Sequence, residues 1–232
     1  MPEHHILQSP SASARLAEAE KWLESILNQG EILVLCAHLE SADQLVRKLA
    51  EHRGAVHGIR RLTLDALAYQ LALPVLGEKG ISPQSRLAEE AIAARVVQQT
   101  LDFGQLGPYE SVAHWPGFAR ALTATFGELR LHEIAANELT AKATPLMVAL
   151  GQLLQRFEIT SLGAGVADRA QVFEAARSVV ENRVAPPVGI PTLLLDVSLN
   201  SPLEQKLAAA LAGKSPRVLA TAPTGDEQTR AA

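Results

Sequence analysis

The spacing of apolar positions changes twice along the chain, and those changes divide it into three stretches. Residues 4–8, His4-His5-Ile6-Leu7-Gln8, read as a short strand. Ser9-Pro10-Ser11 then turns into a helix whose Leu16, Ala19, Leu23, Ile26 and Leu27 recur at helical intervals. Residues 31–37 form a β-rich apolar run, after which Ser41 is placed to cap a helix with Ala42, Leu45, Val46 and Leu49 on one face. A third strand is predicted over 56–62, and a further helix opens at Thr63. Strand-then-helix units in succession predict a parallel sheet covered by helices.

From 82 to 182 the strand pattern vanishes. Helices are predicted near 84–102, 116–130, 132–142, 145–159 and 168–182, separated by turn-forming stretches at 104–116, Thr144-Pro145 and Gly163-Ala164-Gly165. Strand character returns over 192–197, a helix follows over 201–211, and a last strand covers 217–221. The fold class expected is α/β: a parallel sheet with helices on both faces, interrupted by an all-helical insertion. The expected domains are 1–82, the first part of the α/β domain; 83–185, the insertion; and 186–232, the return to the α/β domain.

Composition changes this picture little. With 232 residues, 47% of them apolar and 20% charged, the chain is in the soluble globular class and long enough for one sizeable core or two modest ones. A formal charge of -4 gives no general attraction to nucleic acid, so any basic surface must be local. The single cysteine, Cys36, lies inside an apolar strand and reads as a buried thiol in a reducing, cytoplasmic setting. No leader pattern and no apolar run of membrane-spanning length is present in the sequence, so no membrane association is expected.

The most informative chemistry lies in Pro191-Thr192-Leu193-Leu194-Leu195-Asp196-Val197. An apolar strand ending in Asp at its carboxyl end is where a nucleotide-binding α/β protein holds the Mg²⁺ of bound ATP. Val197 stands where a hydrolysing enzyme of that type carries its catalytic glutamate. The first strand-to-helix turn, Ser9-Pro10-Ser11-Ala12-Ser13-Ala14-Arg15, has neither the glycines nor the lysine of a phosphate cradle, and Pro10 removes a backbone donor. Ser11 or Ser13 is left to cap the helix. Asp196 is thus a degenerate Mg²⁺/ATP position: alone it offers a metal too few ligands, and a cap or turn contact is its expected role. No catalytic residue, bound cofactor or metal is expected in this chain.

Other candidates resolve into plain structure. Glu204-Gln205-Lys206, with Asp196 upstream, mimics the Asp and Glu-x-Lys set of metal-dependent nucleases, but Leu203, Leu207 and Leu211 put it on a helix rather than a strand. The seven histidines include no i, i+4 helical pair enclosing an acid, and no serine lies in a Gly-x-Ser-x-Gly turn. Arg47, Lys48, Arg53, Arg60 and Arg61, with His52 and His57, form a modest basic cluster that is either a phosphate grip or a solvated helix face. Trp115, Phe118, Phe126 and Phe157 are expected to fill a core rather than stack on bases.

The order of these pieces resembles the first part of a superfamily 1 helicase core of the UvrD kind, with its P-loop-NTPase-like sheet. Residues 32–42, Ile32 to Ala42, are similar to the strand and turn that touch single-stranded DNA in that family. Leu62-Thr63-Leu64-Asp65-Ala66-Leu67-Ala68 resembles its Thr-Phe-His-Ser-Leu-Ala segment, and Leu193 to Leu203 its Asp-Glu-x-Gln-Asp motif with the Glu replaced by Val197. Gly225-Asp226-Glu227-Gln228-Thr229 resembles the Gly-Asp-x-x-Gln-Ser motif that follows. Pro116-Gly117-Phe118-Ala119-Arg120-Ala121-Leu122, with Glu128-Leu129-Arg130, narrows the likeness to the helical insert of AddB/RexB-type and related RecB-like nuclease subunits.

That resemblance implies an inactive helicase-like part of a DNA double-strand-break repair and recombination protein. The family's PD-(D/E)XK nuclease, an exodeoxyribonuclease that needs Mg²⁺, would lie beyond Ala232. The implied partners are DNA, as single strands or duplex ends, and a helicase-nuclease subunit. The residues expected to contact DNA are His38, Ser41, Arg60, Arg61 and Thr63, at strand ends or helix starts on the presumed ligand edge of the sheet. Two other readings stand beside this one: a protein-interaction scaffold without DNA contact, and a divergent nucleotide-binding protein.

Overall fold

The computed structural model describes residues 3–142, 144–182 and 187–224. In chain order they form β1 (Glu3–Gln8), α1 (Ala12–Ile26), β2 (Ile32–Cys36), α2 (Leu39–Arg53), β3 (Ile59–Leu62), α3 (Leu64–Glu78), β4 (Ser82–Pro83), α4 (Arg86–Asp102), a 3₁₀ turn (Gly107–Tyr109), α5 (Phe118–Leu131), α6 (Ala136–Thr140), α7 (Pro145–Gly163), β5 (Val166–Ala167), α8 (Arg169–Asn182), β6 (Thr192–Leu195), α9 (Pro202–Lys214) and β7 (Arg217–Ala222). The chain divides into two compact units, Met1–Ala72 with Phe173–Ala232, and Leu73–Val172. The divisions fall within α3 and α8, whereas the sequence places its boundaries at the turns near 82 and 185.

The first unit is α/β, as its alternating strand and helix patterns predict. Its five strands are all parallel in the order β1-β7-β6-β2-β3. Every residue of β2 and β6 is buried, as expected of parallel strands covered on both faces. One face packs Ile32, Val34, Cys36, Leu193, Leu195 and Leu219 against Ala19, Trp22, Leu23 and Ile26 of α1 and Ala42, Leu45 and Leu49 of α2. By the two-residue period of a strand, Leu33, Leu35 and Leu194 are buried on the opposite face. The passage from β6 to β7 runs across the sheet in the sense opposite to that from β2 to β3. A right-handed crossover therefore puts α9 on that opposite face. The Thr192 hydroxyl, on the Leu194 face, lies 2.9 Å from that of Ser215 at the end of α9 and confirms the placement.

The helical unit has its own core. Ala93, Val96 and Val97 of α4, Leu122 and Phe126 of α5, Leu139 of α6, and Leu153, Leu154 and Phe157 of α7 pack together. Phe126 and Phe157 meet at 5.2 Å between ring centroids, tilted by 43°. Gly151 lets α7 approach α6 closely, since a Cβ there would stand 2.7 Å from the Ala136 carbonyl oxygen. Arg130 ties the end of α5 to Glu158 of α7 and to Asp168. Asp168 in turn accepts from the Gln171 N–H at 2.9 Å and so caps α8.

Several elements differ from the sequence expectation for local reasons. Gly58, at φ +80, ends the approach to β3, so the strand covers 59–62 rather than 56–62. His38, not Ser41, holds the N-cap position of α2, and Ser41 lies in the first turn with its N–H bonded to the His38 carbonyl at 3.2 Å. The helix expected over 132–142 shrinks to α6, because Glu133 is left-handed at φ 58 and Ala135 is extended. The two-residue pairing of β4 with β5 is too short to show a strand period and was not expected. Trp115 is exposed rather than core-filling: it precedes α5, so no helical face turns it inward, whereas Phe118, Phe126 and Phe157 do join the core. The segment Gly225 to Thr229 lies outside the described residues. Among the described residues, no helix is long and apolar enough to cross a membrane.

Candidate functional site

Parallel strands bring all five carboxyl ends to one edge of the sheet, which is where open α/β sheets bind ligands. Asp196 follows β6 directly, and β1 ends at Gln8 two strands away, with β7 between them. The turn after β1 and the end of β6 would together flank a nucleotide in an active enzyme of this architecture. Here they flank an arginine.

Arg15, on the first turns of α1, sends its guanidinium to Asp196 in a two-point ion pair, Nε to Oδ1 at 2.8 Å and Nη2 to Oδ2 at 3.0 Å. Its Nη1 donates to the Ser9 carbonyl oxygen, closing the turn on itself. The Arg15 side chain is 8% exposed and that of Asp196 30%. Fork-to-fork geometry of this kind is the strongest form of Arg–carboxylate pairing, and it fixes orientation as well as charge. Asp196 also accepts from the Thr221 hydroxyl at 2.8 Å, while its own N–H donates to the Thr221 carbonyl at 3.1 Å. Its backbone is left-handed, φ 49, a region that the short polar side chain of aspartate tolerates. The carboxylate therefore has a cation and a hydroxyl from the chain itself, where an active site would offer it to Mg²⁺.

The turn after β1 is equally self-satisfied. The Ser11 N–H donates to Ser9 Oγ at 3.2 Å, and the Ala14 N–H donates to Ser11 Oγ at 3.3 Å, so Ser11 is the helix cap. A phosphate cradle needs such donors free. Val197 is buried in the core, and a carboxylate in its place would face desolvation rather than a reacting water. Glu204 of the nuclease-like triplet accepts from the Asn200 and Ser201 N–H groups at 2.8 and 2.9 Å, completing a capping box at the start of α9.

No known protein-family model matches the chain, and no curated protein matches it.

The five residues expected at DNA separate in space. His38, Ser41 and Thr63 follow the carboxyl ends of β2 and β3 on the ligand edge, His38 and Ser41 exposed and Thr63 partly so. Thr63 Oγ1 accepts from the Ala66 N–H at 3.1 Å and caps α3. Arg60 and Arg61 point to opposite faces of β3. Arg61 reaches Asp43 of α2 at 2.6 Å, and Arg60 reaches Glu31, ahead of β2, at 3.0 and 3.2 Å. Lys48, His52 and Arg53 of the basic cluster are similarly engaged: Lys48 with Glu20 at 2.5 Å, His52 with Glu20 at 3.3 Å, and Arg53 with Glu24 at 4.0 Å. Glu20, Glu24 and His52 come within 4.8 Å of one another, a spacing that could hold a metal, but the Lys48 ammonium already supplies Glu20 with its cation. Cys36 is a buried thiol whose Sγ faces the Leu62 carbonyl at 3.5 Å; burial foremost, then the Asp43 and Glu40 charges, push its pKa up and keep it unreactive.

Sequence reading singled out Asp196 and missed Arg15 as its partner. The only local signal was an arginine one turn into a helix whose preceding loop lacks lysine.

Proposed function

We propose that the chain is a catalytically silent, helicase-like module of an AddB/RexB-type DNA-end-processing protein, which positions DNA or a partner subunit without turning over ATP. The observation that carries this reading is the Arg15–Asp196 pair at 2.8 and 3.0 Å, which gives the strand-end carboxylate a cation from the chain itself and so supports a site without nucleotide turnover. The order of motif remnants along a parallel sheet supports the helicase-like part of the reading. In this view the chemistry belongs to a Mg²⁺-dependent nuclease region outside these residues, and the edge bearing His38, Ser41 and Thr63 is the DNA-facing side.

Fluorescence anisotropy with single-stranded and tailed duplex DNA tests the role. Binding that weakens with salt and is indifferent to ATP is expected. Because Arg60 and Arg61 lie on opposite faces of β3, at most one of them meets a given DNA, and replacing both by Ala should flatten the salt slope by about one unit. Absence of binding to either DNA, together with absence of binding to a helicase-nuclease subunit, would remove the proposal.

A second reading, a scaffold without DNA contact, has one observation in its favour. Lys48, Arg53, Arg60 and Arg61 each have an acidic partner, so a DNA phosphate would have to displace a carboxylate to reach them. A partner interaction that survives at high salt, with no DNA binding at low salt, selects this alternative.

A further inference from the structure

The helical unit holds an open cavity of about 340 Å³, toward the lower end of the roughly 300–1,000 Å³ found for small-ligand sites. Its floor is apolar, formed by the buried Leu131, Phe157 and Ala170. Its walls are charged, and most of the charges are spoken for. Arg86 and Arg120 both reach Glu90, at 3.0 and 3.6 Å. Asp168 is held by Arg130 and by the Gln171 N–H. Glu128 and Arg169 also line the space.

Glu89 is the exception. It is half-buried on α4, and burial, Asp168 and Glu90 all raise its pKa, with no cation acting in the other direction. Among the described residues none pairs with its carboxylate. An acid in that position has an unmet need for positive charge.

Gly127 supplies an independent observation. It lies in the interior of α5, is not left-handed, and has no atom within 4 Å of where a Cβ would stand. Neither a turn nor close packing calls for glycine here, and alanine would suit the helix better. Gly127 lines the cavity and has open space where a Cβ would stand, so a large side chain there would narrow it.

We propose that this cavity binds a basic group on an aliphatic stem, an arginine side chain or an equivalent amine, with the stem over Phe157 and Leu131 and the cation on Glu89. The stem buries apolar area while the charged head meets a carboxylate, the usual division of labour in such side chains. Because Glu90 is shared by two arginines, Asp168 is held by Arg130 and Glu128 is largely exposed, Glu89 is the half-buried acid left for the ligand. The same carboxylate disfavours a phosphate or carboxylate ligand despite the arginines at the rim.

The test is an NMR titration of the full ¹⁵N-labelled chain with Nα-acetyl-arginine methylamide, with agmatine, and with the uncharged Nα-acetyl-citrulline methylamide. Saturable shifts of the Gly127 and Glu89 amide signals are expected with the cationic probes and not with citrulline. Saturation by the blocked arginine alone marks a partner protein's side chain as the source, and saturation by agmatine alone marks a free amine. Glu89→Gln should weaken binding by about tenfold or more, and Gly127→Leu should abolish it by filling the space without touching a charge. Absence of saturable shifts, an equal response to the citrulline probe, or unchanged affinity in Glu89→Gln would each overturn the proposal.

Discussion

Two carboxylates, one in each unit, are provided for in opposite ways. Asp196, at the carboxyl edge of the sheet, has a guanidinium, a hydroxyl and a fixed backbone turn supplied by its own chain. Glu89, in the helical unit, lies among two other acids with no cation of its own. The first arrangement is closed: the carboxylate already has its counter-charge and a hydroxyl donor from the chain itself. The second is open, with a charge unmet and a glycine lining the space beside it. The sheet architecture by itself is therefore a poor guide to where ligands go. The state of satisfaction of each charged group is the better one.

The largest expected effect breaks the closed side. Asp196→Ala should destabilise the fold by about 3 kcal/mol, the lower end of the range for breaking a buried pair, because Arg15 is left buried without a counter-charge while Asp196 itself is partly exposed. Equilibrium denaturation by urea measures it, and a change below about 1 kcal/mol would mean that the pair is an incidental surface contact. On the open side, Gly127→Ala should stabilise by about 0.5–1 kcal/mol, since nothing opposes the added Cβ and the helix gains. A loss of stability there would show that the cavity wall is packed after all.

Acidity separates the two sites further. The raised pKa of Glu89 means that the folded chain holds this proton more tightly than the unfolded chain does. Its contribution to stability is therefore undiminished at low pH. It falls as pH rises from the ordinary carboxylate range through the raised pKa, and stays low above it. Glu89→Gln should remove that fall, so the variant gains on the parent as pH rises above the ordinary carboxylate range; parallel stability profiles would contradict the placement of Glu89 among acids. The smallest effect is expected at β3, where Arg61→Ala removes an exposed ion pair with Asp43 and should change stability by less than about 0.5 kcal/mol.

What the sequence made legible follows from range. The apolar run ending at Asp196 and the turn without glycine or lysine are local patterns, and both are where they were read. The Arg15 contact joins residues 181 positions apart, and no period or motif encodes such a pair. Strand order behaves alike: three early strand-helix units announce a parallel sheet, but the insertion of β7 between β1 and β6 depends on which faces bury best together. Arg60 and Arg61 look like one basic patch in sequence, yet the two-residue period of a strand sends them to opposite faces. Glu89 drew no notice as one of three acids on α4, beside Glu90 and Asp102, since its lack of a cation exists only once α5 and α7 are packed against α4.

In the proposed reading the chain's own arginine closes the position that a nucleotide takes in an active enzyme of this architecture. Isothermal titration calorimetry of the full chain with ATP and Mg²⁺ tests it most directly. No saturable heat is expected up to millimolar ATP, with or without the metal. Saturable binding at micromolar ATP that is lost in Asp196→Asn would contradict the account, because it would show that nucleotide displaces Arg15 and uses the carboxylate after all.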